Sequence, residues 1–210
     1  MPPRSKPPLI CIPDTNTLIF LAKIEILGRG AHLWLWDEFE VKVGDMIPHE
    51  ARYLGQIKGK LNRSAIQLSE DELIRRENIF LGRLNLPVDP AMEDLGERKN
   101  CQVSLQLIIQ KRAGQVIFLT DELRIVKKTG FLGKVFDAYP IGNIWNSLDF
   151  ILYLYLRYQR FSYEIAKVKI IDVNALIGGN AQEKITRLNE YMQRFEAINS
   201  ARHQLPDLWV

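Results

Sequence analysis

Leu9-Ile10-Cys11-Ile12-Pro13-Asp14-Thr15-Asn16 joins an unbroken apolar run to a carboxylate, and Gln115-Val116-Ile117-Phe118-Leu119-Thr120-Asp121 repeats the arrangement about a hundred residues later. Runs of five or so apolar residues without alternation are what strands covered on both faces require, as in a parallel sheet with helices on either side. Asp14 and Asp121 then fall at strand ends, where open α/β sheets bind their ligands.

Reading outward from these two runs gives alternating strands and helices. Residues 1–8, with four prolines, form a disordered lead. A strand at 9–13 precedes a helix at 15–27, which Gly28 and Gly30 stop, and a short helical piece at 31–38. Phe39 to Val43 alternates as a strand, and Pro48 opens a helix that carries Glu50 and extends to about Gln56. Ser69 and Glu72 form a capping box for a helix to about Gly82, and a longer helix runs from about Met92 to Arg112. After the strand at 115–119 come a helix at 122–129, a strand at 134–137 and a helix from 142 to 160. Residues 163–177 and 181–199 form two amphipathic helices divided by Gly178-Gly179-Asn180. The expected fold is α/β: three layers, a central mainly parallel sheet flanked by helices, and a C-terminal helical appendage. The expected units are an α/β domain over 9–160 and a helical extension over 161–210.

Composition bounds the class. The 210 residues are 47% hydrophobic and 25% charged, enough for one good core. The longest strongly apolar stretch, Phe150 to Leu156, is far shorter than the roughly 20 residues of a membrane-spanning helix. It is apolar around most of a helix, so it is either buried or a self-association surface, which leaves a homodimer open. Without a signal-peptide pattern, the cytoplasm is the expected location. Cys11 and Cys101 lack metal-type spacing and are expected as buried thiols. A net charge of +3 is too small to indicate a polyanion partner, so charge distribution must carry that argument.

Four acids stand at candidate positions: Asp14, Glu50, Glu97 and Asp121. Gathered in one crevice they would repel one another unless a cation neutralised them, and hard oxygen donors favour Mg²⁺ or Mn²⁺. Asp14, before a helix, has an ordinary reading as an N-cap; Glu50 has one as a solvated first-turn residue. Glu97 is preferred over its neighbour Asp94, the reserve, because Cys101, Leu105 and Ile108 continue its face at helical spacing. Glu122 is a second reserve acid. Asn16 and Thr120 flank the two strand-end aspartates as supporting positions, and His49 points to another face than Glu50.

The order of these motifs, strand-Asp-x-Asn at 14–16, the Pro-led helix with Glu50, Gly96-Glu97 on a helix and strand-Thr-Asp at 120–121, resembles the PIN-domain family over about residues 9–145. The resemblance implies a metal-dependent endoribonuclease that hydrolyses RNA phosphodiester bonds. Asp14, Glu50, Glu97 and Asp121 carry over as catalytic positions, with Asp14, Glu97 and Asp121 as ligands of Mg²⁺ or Mn²⁺. An antitoxin-like protein partner is a further expectation, although the chain is longer than the small toxin nucleases and its tail from about 160 lies outside the family's core pattern.

Basic residues follow three of the four acids. Arg52, Lys58, Lys60 and Arg63 lie between Glu50 and Glu70 without an intervening acid, Arg98, Lys99, Lys111 and Arg112 lie between Glu97 and Asp121, and Arg124, Lys127 and Lys128 follow Asp121 and Glu122. The first and last of these groups are the expected RNA contacts, since a polyanion reaching an acidic site needs basic flanks; the alternative is a set of solvated helix faces. The stretch from Lys58 to Arg63 is expected to be a loop. Trp34 and Trp36 are core or interface residues rather than base platforms. Two rivals differ in class. A catalytically silent PIN-like module would bind RNA or protein through the same basic faces. A haloacid-dehalogenase-like phosphatase would share the strand-Asp opening but needs an aspartate where Asn16 stands.

Overall fold

Side chains on a strand point alternately to the two faces of its sheet, and the two apolar runs use that alternation to build two cores. The computed structural model describes residues 9–84, 95–109, 115–122, 136 and 142–204. Strand β1 (Ile10–Pro13) pairs in parallel with β7 (Val116–Leu119), Ile10 opposite Val116 and Pro13 opposite Leu119. On the other edge of β1 lies β4 (Glu40–Val41), and beyond β7 lies β8 (Gly142–Trp145), giving an all-parallel sheet in the order β4-β1-β7-β8. Ile10, Ile12, Val116 and Phe118 share one core with Cys101 and Leu105 of helix α6 (Leu95–Ile109). Cys11, Ile117 and Leu119 share the other with α1 (Thr15–Ala22) and the C-terminal helices. The sheet is thus flanked by helices on both faces, and both cysteines are buried.

Between β1 and α6 the chain departs from the expected elements. The helix expected over 15–27 ends at Ala22, and β2 (Glu25–Ile26) and β3 (Arg29–Gly30) form an antiparallel hairpin instead. Its two turn residues, Leu27 at φ +51° and Gly28 at φ +81°, have the positive φ of a two-residue hairpin turn, so Gly28 turns a hairpin rather than stopping a helix. A 3₁₀ turn at Ala31–Trp34 and helix α2 (Leu35–Glu38) fill the expected helical piece. The strand expected over 39–43 divides at Lys42 into β4 and β5 (Val43–Gly44), and β5 leaves the main sheet to pair with β6 (Ala65–Ile66).

The helix expected from Pro48 to Gln56 is a single turn, α3 (Ile47–Glu50). The stretch expected as a basic loop is helix α4 (Lys58–Ser64), seated by the buried Ile57 and Leu61. Helix α5 (Glu70–Leu84) begins where expected, with Ser69 Oγ accepting from the Glu72 amide at 3.2 Å. The expected helix at 122–129 and the strand at 134–137 lie outside the described residues apart from Glu122 and Phe136. Phe136 packs edge-on to Phe118 at 5.8 Å.

At the C-terminal side, the helix expected from 142 is first strand β8 and then α7 (Ser147–Arg157). Asn146 separates them by a full capping box: its Oδ1 accepts from the Asp149 amide at 3.0 Å, and Asp149 Oδ2 accepts from the Asn146 amide at 3.0 Å. Phe150, Ile151, Leu152, Leu154 and Tyr155 of α7 are buried within this chain, so of the two readings of that apolar run the buried one holds. Helices α8 (Tyr163–Leu176) and α9 (Ala181–Gln204) contribute Ile170, Val173, Tyr191 and Phe195 to the same core as α1 and α7. Arg202 fastens the end of α9 by donating to the carbonyls of Tyr158 at 2.7 Å and Phe161 at 3.1 Å. Trp34 and Trp36 are half-buried against this core, as expected of packing residues. Among the described residues no helix is long and apolar enough to cross a membrane.

Candidate functional site

Parallel pairing carries the two strand-end aspartates to the same edge of the sheet. The Asp14 amide donates to the Leu119 carbonyl at 2.8 Å, and the Thr120 amide donates to the Trp145 carbonyl at 2.8 Å, extending the ladders one step past β1 and β7. Asp14 occupies the N-cap position of α1 with extended backbone, yet its side chain makes no cap hydrogen bond. The residue is 9% exposed, and the amides that act on its carboxylate are those of Thr15 and Asn16 at the start of α1, so the ordinary reading as a helix cap stays open beside the functional one.

Burial pushes the Asp14 carboxyl up to about 7; the charges of Glu50 and Glu122 push in the same direction, against the pull of the nearby Thr15 and Asn16 amides. Glu50 is half-buried and its Oε2 accepts from Thr15 Oγ1, which ties α3 to the start of α1. The charges of Glu50 and Glu122 thus both reach Asp14. Glu122, a reserve acid from sequence, does so from the turn after β7, which Thr120 Oγ1 shapes by accepting from the Glu122 amide at 3.2 Å. Thr120 is fully buried, whereas Asn16 is exposed.

Asp121 is held differently. Its amide donates to Thr17 Oγ1 at 2.9 Å, and its carboxylate accepts from the Ser147 amide at 2.9 Å and from Ser147 Oγ. Ser147 is the first residue of α7, so Asp121 satisfies one of the amides that a helix start leaves unpaired. Burial raises its carboxyl, while Ser147, Thr17 and the Arg187 charge oppose that rise.

Other predicted residues divide by position. Glu97 lies on α6, but its side chain lies outside the described residues, and burial of Cys101 and Leu105 does not single out its face because Gln102, Val103 and Ser104 are buried too. Asp94, Arg124, Lys127 and Lys128 also lie outside them. Arg52, Lys58 and Arg63 are exposed, and Lys60 is half-buried with its Nζ 5.7 Å from the Trp36 ring. His49 is exposed. Among the described residues, no group of three His, Cys, Asp or Glu side chains converges closely enough to form a metal-ligand set.

One group of residues beside Asp121 has no counterpart in the sequence reading. A cavity of about 380 Å³ lies between Asp121 and helix α9, with Asn146, Arg187 and Tyr191 in its wall. Asn146 Nδ2 donates to Tyr191 Oη at 2.7 Å, locking the start of α7 to α9. Arg187 is 9% exposed and donates to Asn174 Oδ1 at 2.7 Å and to the carbonyls of Asn174, Ile177 and Gly178. The capping box at Asn146 and Asp149 is legible in principle, being a short polar residue followed three positions later by an acid. Arg187 sits in an ordinary amphipathic pattern that does not single it out. No known protein family, curated protein or solved structure matches the chain.

Proposed function

We propose that the protein is a Mg²⁺- or Mn²⁺-dependent endoribonuclease of PIN-like fold, with its centre at the carboxyl ends of β1 and β7. The observation that carries this reading is Asp14: a residue nine-tenths buried at the N-cap position of α1, facing the charges of Glu50 and Glu122. Such a group is costly to ionise alone and becomes favourable beside a cation. Its hard oxygen donors fit Mg²⁺ or Mn²⁺.

In this reading Asp14, Glu97 and Asp121 hold the ion, with Glu50 on the rim. These residues would hold the cation, which would supply activation of a water and charge compensation at the phosphate oxygens. The chain's own residues set the geometry: Thr15 fixes Glu50, and Ser147 fixes Asp121 against rotation. Glu122 adds negative charge on the Asp14 side and is a further candidate oxygen donor. RNA is the proposed substrate and partner, and the cytoplasm the proposed location.

A second reading has its own observation. Because both oxygens of Asp121 accept from Ser147, this carboxylate also serves as an anchor for α7, and a silent RNA- or protein-binding module would retain it for that reason. Incubating the protein with a pool of RNAs, with and without Mn²⁺, and mapping the ends separates the two. Metal-dependent ends support the nuclease; retention of RNA without cleavage supports the silent module.

Helix α4 supplies the first substrate prediction. Lys58, Lys60 and Arg63 project from a helix instead of a loop, at fixed spacing. Replacing all three by Ala should weaken single-stranded RNA binding irrespective of sequence. For every phosphate interaction removed, the slope of log affinity against log salt should fall by about 0.7. Fluorescence anisotropy over a salt series measures this, and an unchanged slope would leave α4 a solvated face.

A further inference from the structure

A buried histidine stays neutral unless an acceptor or a carboxylate answers its charge. His32, in the 3₁₀ turn at Ala31–Trp34, is 4% exposed, and its Nδ1 makes no hydrogen bond. The ring rests on Gly30 so closely that a Cβ built there would meet Nδ1 and Cε1 at 2.7 Å. In the neutral ring one nitrogen carries no hydrogen. In the imidazolium both do, and an N–H at Nδ1 would be buried with nothing to receive it.

The charges around the turn have the wrong sign for an imidazolium. Burial lowers His32 below its ordinary value of 6.5, and Arg29 of β3 and Lys60 of α4 push the same way. The Arg29 guanidinium lies 4.4 Å from the Trp34 ring, and Lys60 Nζ lies 5.7 Å from the Trp36 ring. Helix α2 carries two carboxylates, but both are engaged: Asp37 bridges Arg29 at 2.7 Å, and Glu38 accepts from Tyr153 Oη at 2.6 Å and from Tyr158 Oη. Helix α1, which also packs against the turn, contains no ionisable side chain.

Three elements meet at this corner. The Ala31 amide donates to the Ile24 carbonyl at 2.7 Å and Trp34 Nε1 to the Ile26 carbonyl at 3.3 Å, which ties the turn to the β2–β3 hairpin. Trp36 Nε1 donates to Ser64 Oγ at 3.4 Å, which ties α2 to α4. A charge arriving on His32 therefore opposes Arg29 on the hairpin and Lys60 on α4 together.

We infer that His32 is a pH-sensitive latch: neutral, it closes the corner between the β2–β3 hairpin, the 3₁₀ turn and α4, and protonated, it lets that corner open while the parallel sheet stays folded. The opened corner binds a proton at the ordinary 6.5 and the closed one only at lower pH. The advantage of the closed form is thus fully present above 6.5 and is lost as pH falls from there through the closed form's own value. The latch operates whether or not the protein cleaves RNA.

Hydrogen exchange of the full chain between about pH 7.5 and pH 5, corrected for the intrinsic rate, reads the opening locally. Protection at the Ala31 and Leu61 amides, which donate to the Ile24 and Ile57 carbonyls, should fall by up to about tenfold per pH unit below 6.5. The Thr120 amide, bonded to the Trp145 carbonyl beside the sheet, should keep its protection. In proton NMR the imidazole of His32, one of three histidines, should titrate below 6.5, and Lys60→Met should move that titration upward. His32→Leu, uncharged at every pH, should hold the Ala31 and Leu61 protection level across the range. If His32→Leu does not fold, the wild-type titration and Lys60→Met decide. A His32 titration at or above 6.5, one unmoved by Lys60→Met, level protection in the wild type, or the same acid loss in His32→Leu would overturn the latch.

Discussion

Asp14→Asn should abolish metal-dependent RNA cleavage and, in the presence of a chelator, make the protein more stable at pH 8 than the wild type. The two effects share one cause. Burial and the charges of Glu50 and Glu122 raise the folded-state Asp14 carboxyl to about 7, from an ordinary value of 3.8. In the metal-free protein the stability associated with the neutral carboxyl is fully present below the ordinary value. It is lost as pH rises through the interval up to about 7, because the unfolded chain ionises this group first. A shift of that size is worth on the order of a few kcal/mol. Asparagine carries no charge, so thermal unfolding in EDTA should show a flatter decline between pH 4 and pH 7 in the variant. Undiminished cleavage by Asp14→Asn would remove this residue from the centre, and an unchanged pH profile would remove the electrostatic account of it.

The largest effect on the fold is expected at Gly142. A Cβ built on this residue meets the Val116 carbonyl oxygen at 1.8 Å and other backbone atoms of Val116 within 2.8 Å. Val116 is paired with Gly142 in register, so relief requires β8 to move away from β7. Gly142→Ala should therefore cost more than about 3 kcal/mol, at or above the upper end of ordinary overpacking. Urea denaturation reads the loss, and a midpoint close to the wild type would mean that the two strands separate more easily than their pairing suggests. In a variant that remains folded, the displacement should travel along β8 to Ser147 and disturb its grip on Asp121. Cleavage should then fall by more than the folded fraction alone explains.

The parts of the fold legible in the sequence are those buried on both sides. Ile10 to Pro13 and Val116 to Leu119 show no alternation because helices cover both faces of the sheet, and their ends locate Asp14 and Asp121. The hairpin of β2 and β3 is not legible: two-residue strands are too short to show a period, and Leu27 at positive φ is not a residue that marks a turn. Strand β8 reads as helix because only Ile144 and Trp145 are apolar and the helical pattern of α7 begins directly after them. Helix α4 is hidden by Gly59 and its density of charge, since only Leu61 and the preceding Ile57 are buried hydrophobic anchors. At the site, single carboxylates at strand ends are legible, while their surroundings are not. Thr15 on Glu50, Ser147 on Asp121 and Arg187 beside the cavity are contacts between elements far apart in the chain, and none leaves a local pattern.

Asp14 and its neighbouring acids are proposed to hold a divalent ion. Anomalous diffraction from crystals grown with Mn²⁺ tests it most directly. A peak is expected with Asp14 as a ligand, shared with at least one of Glu97 and Asp121, and it should be lost in Asp14→Asn crystals. Crystals without a peak at the carboxyl ends of β1 and β7, or with Asp14 outside the coordination sphere of any ion, would contradict it.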